Sequence, residues 1–152
     1  MLKGKVAIIT GASSGFGEDS ARLFAQKGCR VVLAARRLDR LNRLAEEINS
    51  QGGTALVVLL DVSQQSQIDH LIDIVHKEYG RVDILFNNAG FGRLDWLETQ
   101  DPIQDINTQI DVNLRGLIQV TRAVLPGMIE NRSGSIINMS SVAGKIAPPL
   151  YT

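Results

Sequence analysis

A single cysteine, Cys29, is the only thiol in the sequence, which excludes an intrachain disulfide. Its place just before an apolar run reads as a buried structural thiol rather than a reactive one. Charge of one sign is also missing: 16 Lys and Arg stand against 16 Asp and Glu. That balance leaves no electrostatic footprint for nucleic acid or an anionic membrane. No hydrophobic run is long enough to cross a bilayer, and the short run Val6-Ala7-Ile8-Ile9 near the start is too short for a signal-peptide core. A cytoplasmic location is the expectation. Only two histidines occur, His70 and His76. Six residues apart, they share no i,i+4 face and have no cysteine partner, so no metal site is expected. Neither histidine follows a predicted strand, which argues against a Ser-His-Asp arrangement.

Hydrophobic residues make up 44% of the chain and charged residues 21%, the profile of a globular protein. Its 152 residues fit one domain. Short β-rich runs alternate with longer amphipathic segments. Val6-Ala7-Ile8-Ile9 reads as a strand buried on both faces. A helix is predicted over 15–27, with Phe16, Ser20, Leu23 and Phe24 along one side and Gly28 at its end. Val31–Ala34 is the second strand. A helix over 38–49 carries Leu38, Leu41, Leu44, Ala45 and Ile48 at helical spacing. Ala55–Leu60 is the third strand, and Ser63 is the expected N-cap of a helix that runs to Tyr79. Val82–Phe86 is the fourth strand. A loop over 90–101 follows, with Trp96 either facing substrate or packed locally. A long helix is expected from Pro102 to Asn131, kinked or thinned near Pro126. Ser135–Met139 is the fifth strand.

This order of alternating strands and helices defines an α/β fold with a doubly wound parallel sheet, the Rossmann fold, of at least five strands. Such sheets bind ligands beyond the carboxyl ends of their strands. The residues there are Gly11, Arg36, Asp61, Asn87 and the pair Ser140-Ser141. The turn Thr10-Gly11-Ala12-Ser13-Ser14-Gly15-Phe16-Gly17 joins the first strand to the first helix. Gly11 permits a sharp exit from the strand. Gly15 keeps side chains away from a pyrophosphate, and Gly17 allows the helix to pack closely. Free N–H groups at the helix start then face phosphate, with the helix dipole assisting. Ser13 and Ser14 add hydroxyls.

With Asn87-Asn88-Ala89-Gly90 after the fourth strand, Asn113 in the long helix and Gly134–Ser141 over the fifth strand, the whole chain resembles the short-chain dehydrogenase/reductase family, in its T-G-x-x-x-G-x-G branch. The resemblance implies a strand order 3-2-1-4-5 and a nicotinamide dinucleotide as cofactor. It makes Gly11, Ser13, Ser14, Gly15, Phe16 and Gly17 contacts of that cofactor. By the same resemblance the Asp61 carboxylate meets the adenine amino group and Val62 lines the ring, the alternative being that Asp61 caps the next helix. Asn88, Ala89 and Gly90 become cofactor neighbours, and Asn87 is mainly structural.

An NAD site would place an acid at the end of the second strand. Ala34-Ala35 stand there instead, followed by Arg36 and Arg37. A guanidinium fork suits a 2′-phosphate, so NADP(H) is expected, with NAD the less favoured choice. The expected activity is hydride transfer between the nicotinamide and a ketone or secondary alcohol.

In the family a Ser, a Tyr, a Lys and an Asn share the chemistry at the reacting end, with Tyr and Lys spaced Y-x-x-x-K. Ser141 and Asn113 match the serine and asparagine as catalytic residues. The expected tyrosine position falls about two residues beyond Thr152, and Tyr151 lies in a proline-marked stretch. Residues 1–152 are thus expected to be the N-terminal part of a longer NADP-binding domain. A complete protein would be a homodimer or homotetramer acting on a small carbonyl or alcohol. The alternative is a non-catalytic NADP(H)-binding fragment or scaffold.

Overall fold

A computed structural model describes residues 2–93 and 95–145. Five strands form one parallel sheet in the order β3-β2-β1-β4-β5. They are β1 Val6–Thr10, β2 Arg30–Ala35, β3 Thr54–Leu59, β4 Ile84–Asn87 and β5 Ser135–Asn138. The register sets Ile8 beside Val32 on one side and Leu85 on the other. β1 is buried along its whole length, as its unbroken apolar run requires.

The helices divide between the two faces. α1 (Gly15–Gln26) and α2 (Leu38–Ser50) cover one face, where Ile9, Val31 and Leu33 meet Ala21, Ala25, Leu41 and Ile48. α3 (Gln65–Tyr79) covers the other together with the end of a long helical segment. There Ile8, Val32 and Leu85 meet Ile68, Leu71, Val75, Val120 and Val124. This is the doubly wound arrangement expected from the alternating pattern, in the expected strand order.

Local details differ from expectation for identifiable reasons. The buried side of α1 is Gly17, Ala21 and Ala25, while Phe16 and Leu23 are exposed. Small residues at i, i+4 and i+8 bring this helix close to the sheet, and size outweighs hydrophobicity on that face. Ser63 does not cap α3, since Gln64 occupies the cap position. The Ser63 hydroxyl donates instead to Asp61 Oδ1 at 2.7 Å. The long helix is not uniform. It opens with a π-helical stretch, Pro102–Asn107, capped by Asp101, which accepts from the N–H groups of Ile103 and Gln104. One regular turn, α4 (Thr108–Ile110), leads into a second π-helical stretch, Asp111–Gly116. α5 (Leu117–Glu130) then continues through Pro126. Among the described residues, no helix is long and apolar enough to cross a membrane.

Candidate nucleotide site

β1 has β2 on one side and β4 on the other, and the chain leaves these neighbours in opposite directions around the sheet. A crevice opens at such a switch point, beyond the carboxyl ends of the strands. Here it is a cleft of about 620 Å³. Of the residues expected to bind or react, all but Gly15 and Gly17 line it.

The glycine turn forms its floor. Gly11 takes φ +67°, and a Cβ there would stand 2.8 Å from the Ala89 Cα. Gly17 has no room either: its Cβ would stand 2.5 Å from both the Gly11 carbonyl oxygen and Asn88 Nδ2. Gly15, at φ +55°, faces open space. Ser14 stands at the N-cap of α1 without bonding a backbone N–H, so the first-turn donors have no side-chain cap. That leaves the donor set a bound anion needs.

Thr10 joins the turn to β4, a role that sequence reasoning missed. Its hydroxyl accepts from the N–H groups of Asn88 and Ala89, each at 3.0 Å, and lies 3.4 Å from the Phe86 carbonyl. The Asn88 side chain donates to the Thr10 and Gly11 carbonyls at 3.1 and 3.3 Å. Asn88 thus braces the turn from across the crevice. The available signal was the position of Thr10 as the last residue of a buried strand. Asn87 is buried and donates to Thr121 and Asn138, tying β4 to α5 and β5. Replacing Thr10 by Val keeps the shape and removes the shared acceptor. The expected loss is about 3 kcal/mol in urea unfolding for two stranded N–H groups, with Thr10→Ser recovering most of it.

Arg37 folds back onto the turn. Its Nη2 lies 2.9 Å from Ser13 Oγ and 2.6 Å from Ser14 Oγ, and its Nε donates to Ser13 at 3.1 Å. Arg36 is exposed on the cleft wall beside Ala35. Asp61 Oδ1 accepts from both the N–H and the hydroxyl of Ser63, which spends one carboxylate oxygen on the turn before α3. Val62 is buried at the same wall.

Asn113 lies in the second π-helical stretch and closes the far side. Its amide pairs with one residue of the loop after β4: Oδ1 accepts from the Phe91 N–H at 2.9 Å and Nδ2 donates to the Phe91 carbonyl at 2.7 Å. Gly90 permits this, since a Cβ there would stand 3.1 Å from Asn113 Oδ1. Arg93 secures the next part of the loop through an ion pair with Asp105 and a backbone bond to Gln109. Trp96 is 61% exposed, so local packing does not hold it. Ser140 and Ser141 follow β5 and line the cleft opposite Arg36 and Asp61. Tyr151 lies outside the described residues. Among the described residues, no three His, Cys, Asp or Glu side chains gather as a metal site.

The chain belongs to the short chain dehydrogenase family, whose model matches residues 5–152. It is 40% identical over 151 residues to the 3-oxoacyl-(acyl-carrier-protein) reductase of Thermotoga maritima, covering 99% of this chain and 61% of that protein. An uncharacterized oxidoreductase of Staphylococcus saprophyticus is 39% identical over 148 residues, covering 97% of this chain and 59% of the relative. The chain therefore spans about 60% of the length of these curated relatives. Among solved structures, a metagenomic short-chain oxidoreductase in complex with NADP superposes with a TM-score of 0.93 at 39% identity. That match covers 99% of this chain and 68% of the other. A gluconate 5-dehydrogenase from Burkholderia cenocepacia, in complex with NADP and tartrate, gives 0.91 at 33% identity, covering 99% and 58%.

Proposed function

We propose that the cleft binds NADP(H), and that the chain forms the cofactor half of an oxidoreductase acting on a ketone or secondary alcohol. The observation that carries this reading is Arg36: an exposed guanidinium on the cleft wall, next to Ala35 where an NAD site would present an acid. Among the described residues no carboxylate lies within ion-pair distance of it. The complexes of the two related structures with NADP support the same cofactor.

The residues present fit the group. The uncapped first turn of α1 offers N–H donors to the pyrophosphate. Arg36, with Arg37 and the two serines beside it, receives the 2′-phosphate. Asp61 keeps its Oδ2 for the adenine amino group while Oδ1 stays with Ser63. Val62 supplies an apolar wall to the ring, and Phe16 and the Ala89-Gly90 backbone flank the middle of the cofactor. Bound there, the nicotinamide supplies or accepts the hydride.

Ser141, at the opposite end of the cleft from Arg36, donates a hydrogen bond to the reacting oxygen and favours charge developing on it. Asn113 acts by holding Phe91, and with it the loop that borders the substrate space.

Titration calorimetry with NADPH and NADH tests the cofactor reading. NADPH binds more tightly, and Arg36→Ala weakens NADPH about tenfold to a hundredfold, the value of one charge-assisted contact, while leaving NADH unchanged. Equal affinities in the unsubstituted chain would overturn the assignment.

A further inference from the structure

The arginines at the adenosine end are more numerous than one 2′-phosphate requires. Residues 36–43 hold Arg36, Arg37, Arg40 and Arg43 against a single acid, Asp39, with Glu46 and Glu47 on the next turn of α2 and Glu47 already held by Arg22, in a chain whose formal net charge is zero. Arg37 is engaged with Ser13 and Ser14. Arg40 and Arg43 stand three apart on α2, which sets them on one side of that helix, while Arg36 precedes the helix on the cleft wall. Both are exposed, while Leu41, Leu44 and Ile48 take the buried side.

Four of the seven arginines elsewhere in the chain are used differently. Arg22, Arg81, Arg93 and Arg115 each hold a carboxylate. Among the described residues, the side chains of Arg36, Arg40 and Arg43 make no ion pair and no hydrogen bond, and Asp39 pairs with none of them. Clustering like charges at the start of a helix carries a cost, because the helix dipole already makes that end positive. Asp39 offsets one charge of four. The cluster leaves positive side chains without an ion-pair partner on α2, the helix that starts two residues after Arg36 on the cleft wall.

We infer that Arg40 and Arg43 form a steering surface, which draws a ligand bearing several phosphate charges along α2 toward Arg36 and raises its rate of capture. The inference rests on the reading that the cleft takes NADP(H). A steering charge acts at long range, before contact forms, so it changes the association rate and leaves the dissociation rate nearly untouched. It is also screened by salt, since the Debye length shrinks to a few ångströms at high ionic strength.

Stopped-flow measurement of NADPH binding separates the two rates. In about 20 mM salt, Arg40→Gln and Arg43→Gln each slow association about threefold, and the double variant about tenfold. Dissociation changes less than about twofold, and the differences vanish near 0.5 M salt as screening becomes complete. Arg132→Gln makes the same change in net charge beside the start of β5, at the opposite end of the sheet, and leaves association unchanged. An unaltered association rate in the double variant overturns the inference, as does a loss that sits in dissociation or survives high salt. These outcomes are distinct from failure of the cofactor reading, which shows as equal NADPH and NADH affinity in the unsubstituted chain. A preference for NADPH with unmoved association rates removes steering and leaves the cofactor assignment standing.

Discussion

Gly17→Val is expected to abolish tight nucleotide binding and to lower the stability of the domain. The reason lies in the first carbon added. A Cβ at position 17 stands 2.5 Å from the Gly11 carbonyl oxygen and 2.5 Å from Asn88 Nδ2. One of these atoms is backbone at the base of the turn. The other belongs to a side chain already fixed by bonds to the Thr10 and Gly11 carbonyls. Neither can move without carrying the turn away from β4. Overpacking of this kind costs about 3 kcal/mol, read in urea or thermal unfolding. Misplacing the α1 donors weakens NADPH by about a hundredfold, which corresponds to roughly 2.8 kcal/mol in titration. Gly17→Ala is expected to show most of both effects. Gly15→Ala is the contrast, because position 15 meets no neighbour and its φ of +55° is the only obstacle. Its stability cost is about 1 to 2 kcal/mol, set by backbone strain. A Gly17→Ala variant as stable as the unsubstituted chain would show that the helix can withdraw from the turn freely.

The parts of this molecule that were legible in its sequence are those governed by one local rule each. β1 and the glycine turn are short, contiguous and unambiguous, because an unbroken apolar run suits a doubly buried strand and a φ of +67° calls for Gly11. α2 was nearly as readable: Leu41, Leu44, Ala45 and Ile48 fall on one buried stripe, while Leu38, expected on it at the first helical position, is exposed. What stayed hidden depends on partners distant along the chain. The close approach of α1 makes alanines its core face and turns Phe16 and Leu23 outward, and no periodicity in hydrophobicity carries that preference. Arg36 and Arg37 are chemically identical neighbours, yet one bonds two serines and the other faces solvent on the cleft wall. Only the geometry of the turn, more than twenty residues earlier in the chain, separates them. The Thr10 hydroxyl reaches Asn88 and Ala89 across β4, a contact that sequence distance conceals. The π-helical stretch that carries Asn113 has no composition of its own, and its role becomes visible only with the Phe91 backbone in place.

The opposite end of the sheet carries a second large effect, and it depends on pH. Asp83 precedes β4 and is buried, with Oδ2 accepting from the Val6 N–H and Oδ1 accepting from Lys5, each at 2.9 Å. Arg81 pairs with the same Oδ1 at 2.6 Å, and the Asp83 carbonyl accepts from the Ser135 N–H. One residue therefore fastens the starts of β1, β4 and β5. Burial by itself pushes this carboxyl up, but the bonds from Lys5 and Val6, with the charges of Arg81 and Lys5, outweigh burial and hold it below the usual carboxylate value. A carboxyl depressed in the folded state contributes stability above its unfolded value of about 3.9, and that contribution disappears as pH falls through the lower folded value. At neutral pH, Asp83→Ala is expected to cost about 3 kcal/mol in urea unfolding, because the buried Val6 N–H loses a charged acceptor. Asp83→Asn retains an acceptor of similar shape but no charge and loses about half as much. The difference between Asp83→Asn and the unsubstituted chain narrows as pH is lowered from about 5 through the depressed folded value, below which both side chains are neutral. A gap that persists unchanged at acid pH would assign the cost to shape rather than charge. NADPH affinity of the folded Asp83→Asn variant remains unaltered, because Asp83 and the cleft occupy opposite ends of the same strands.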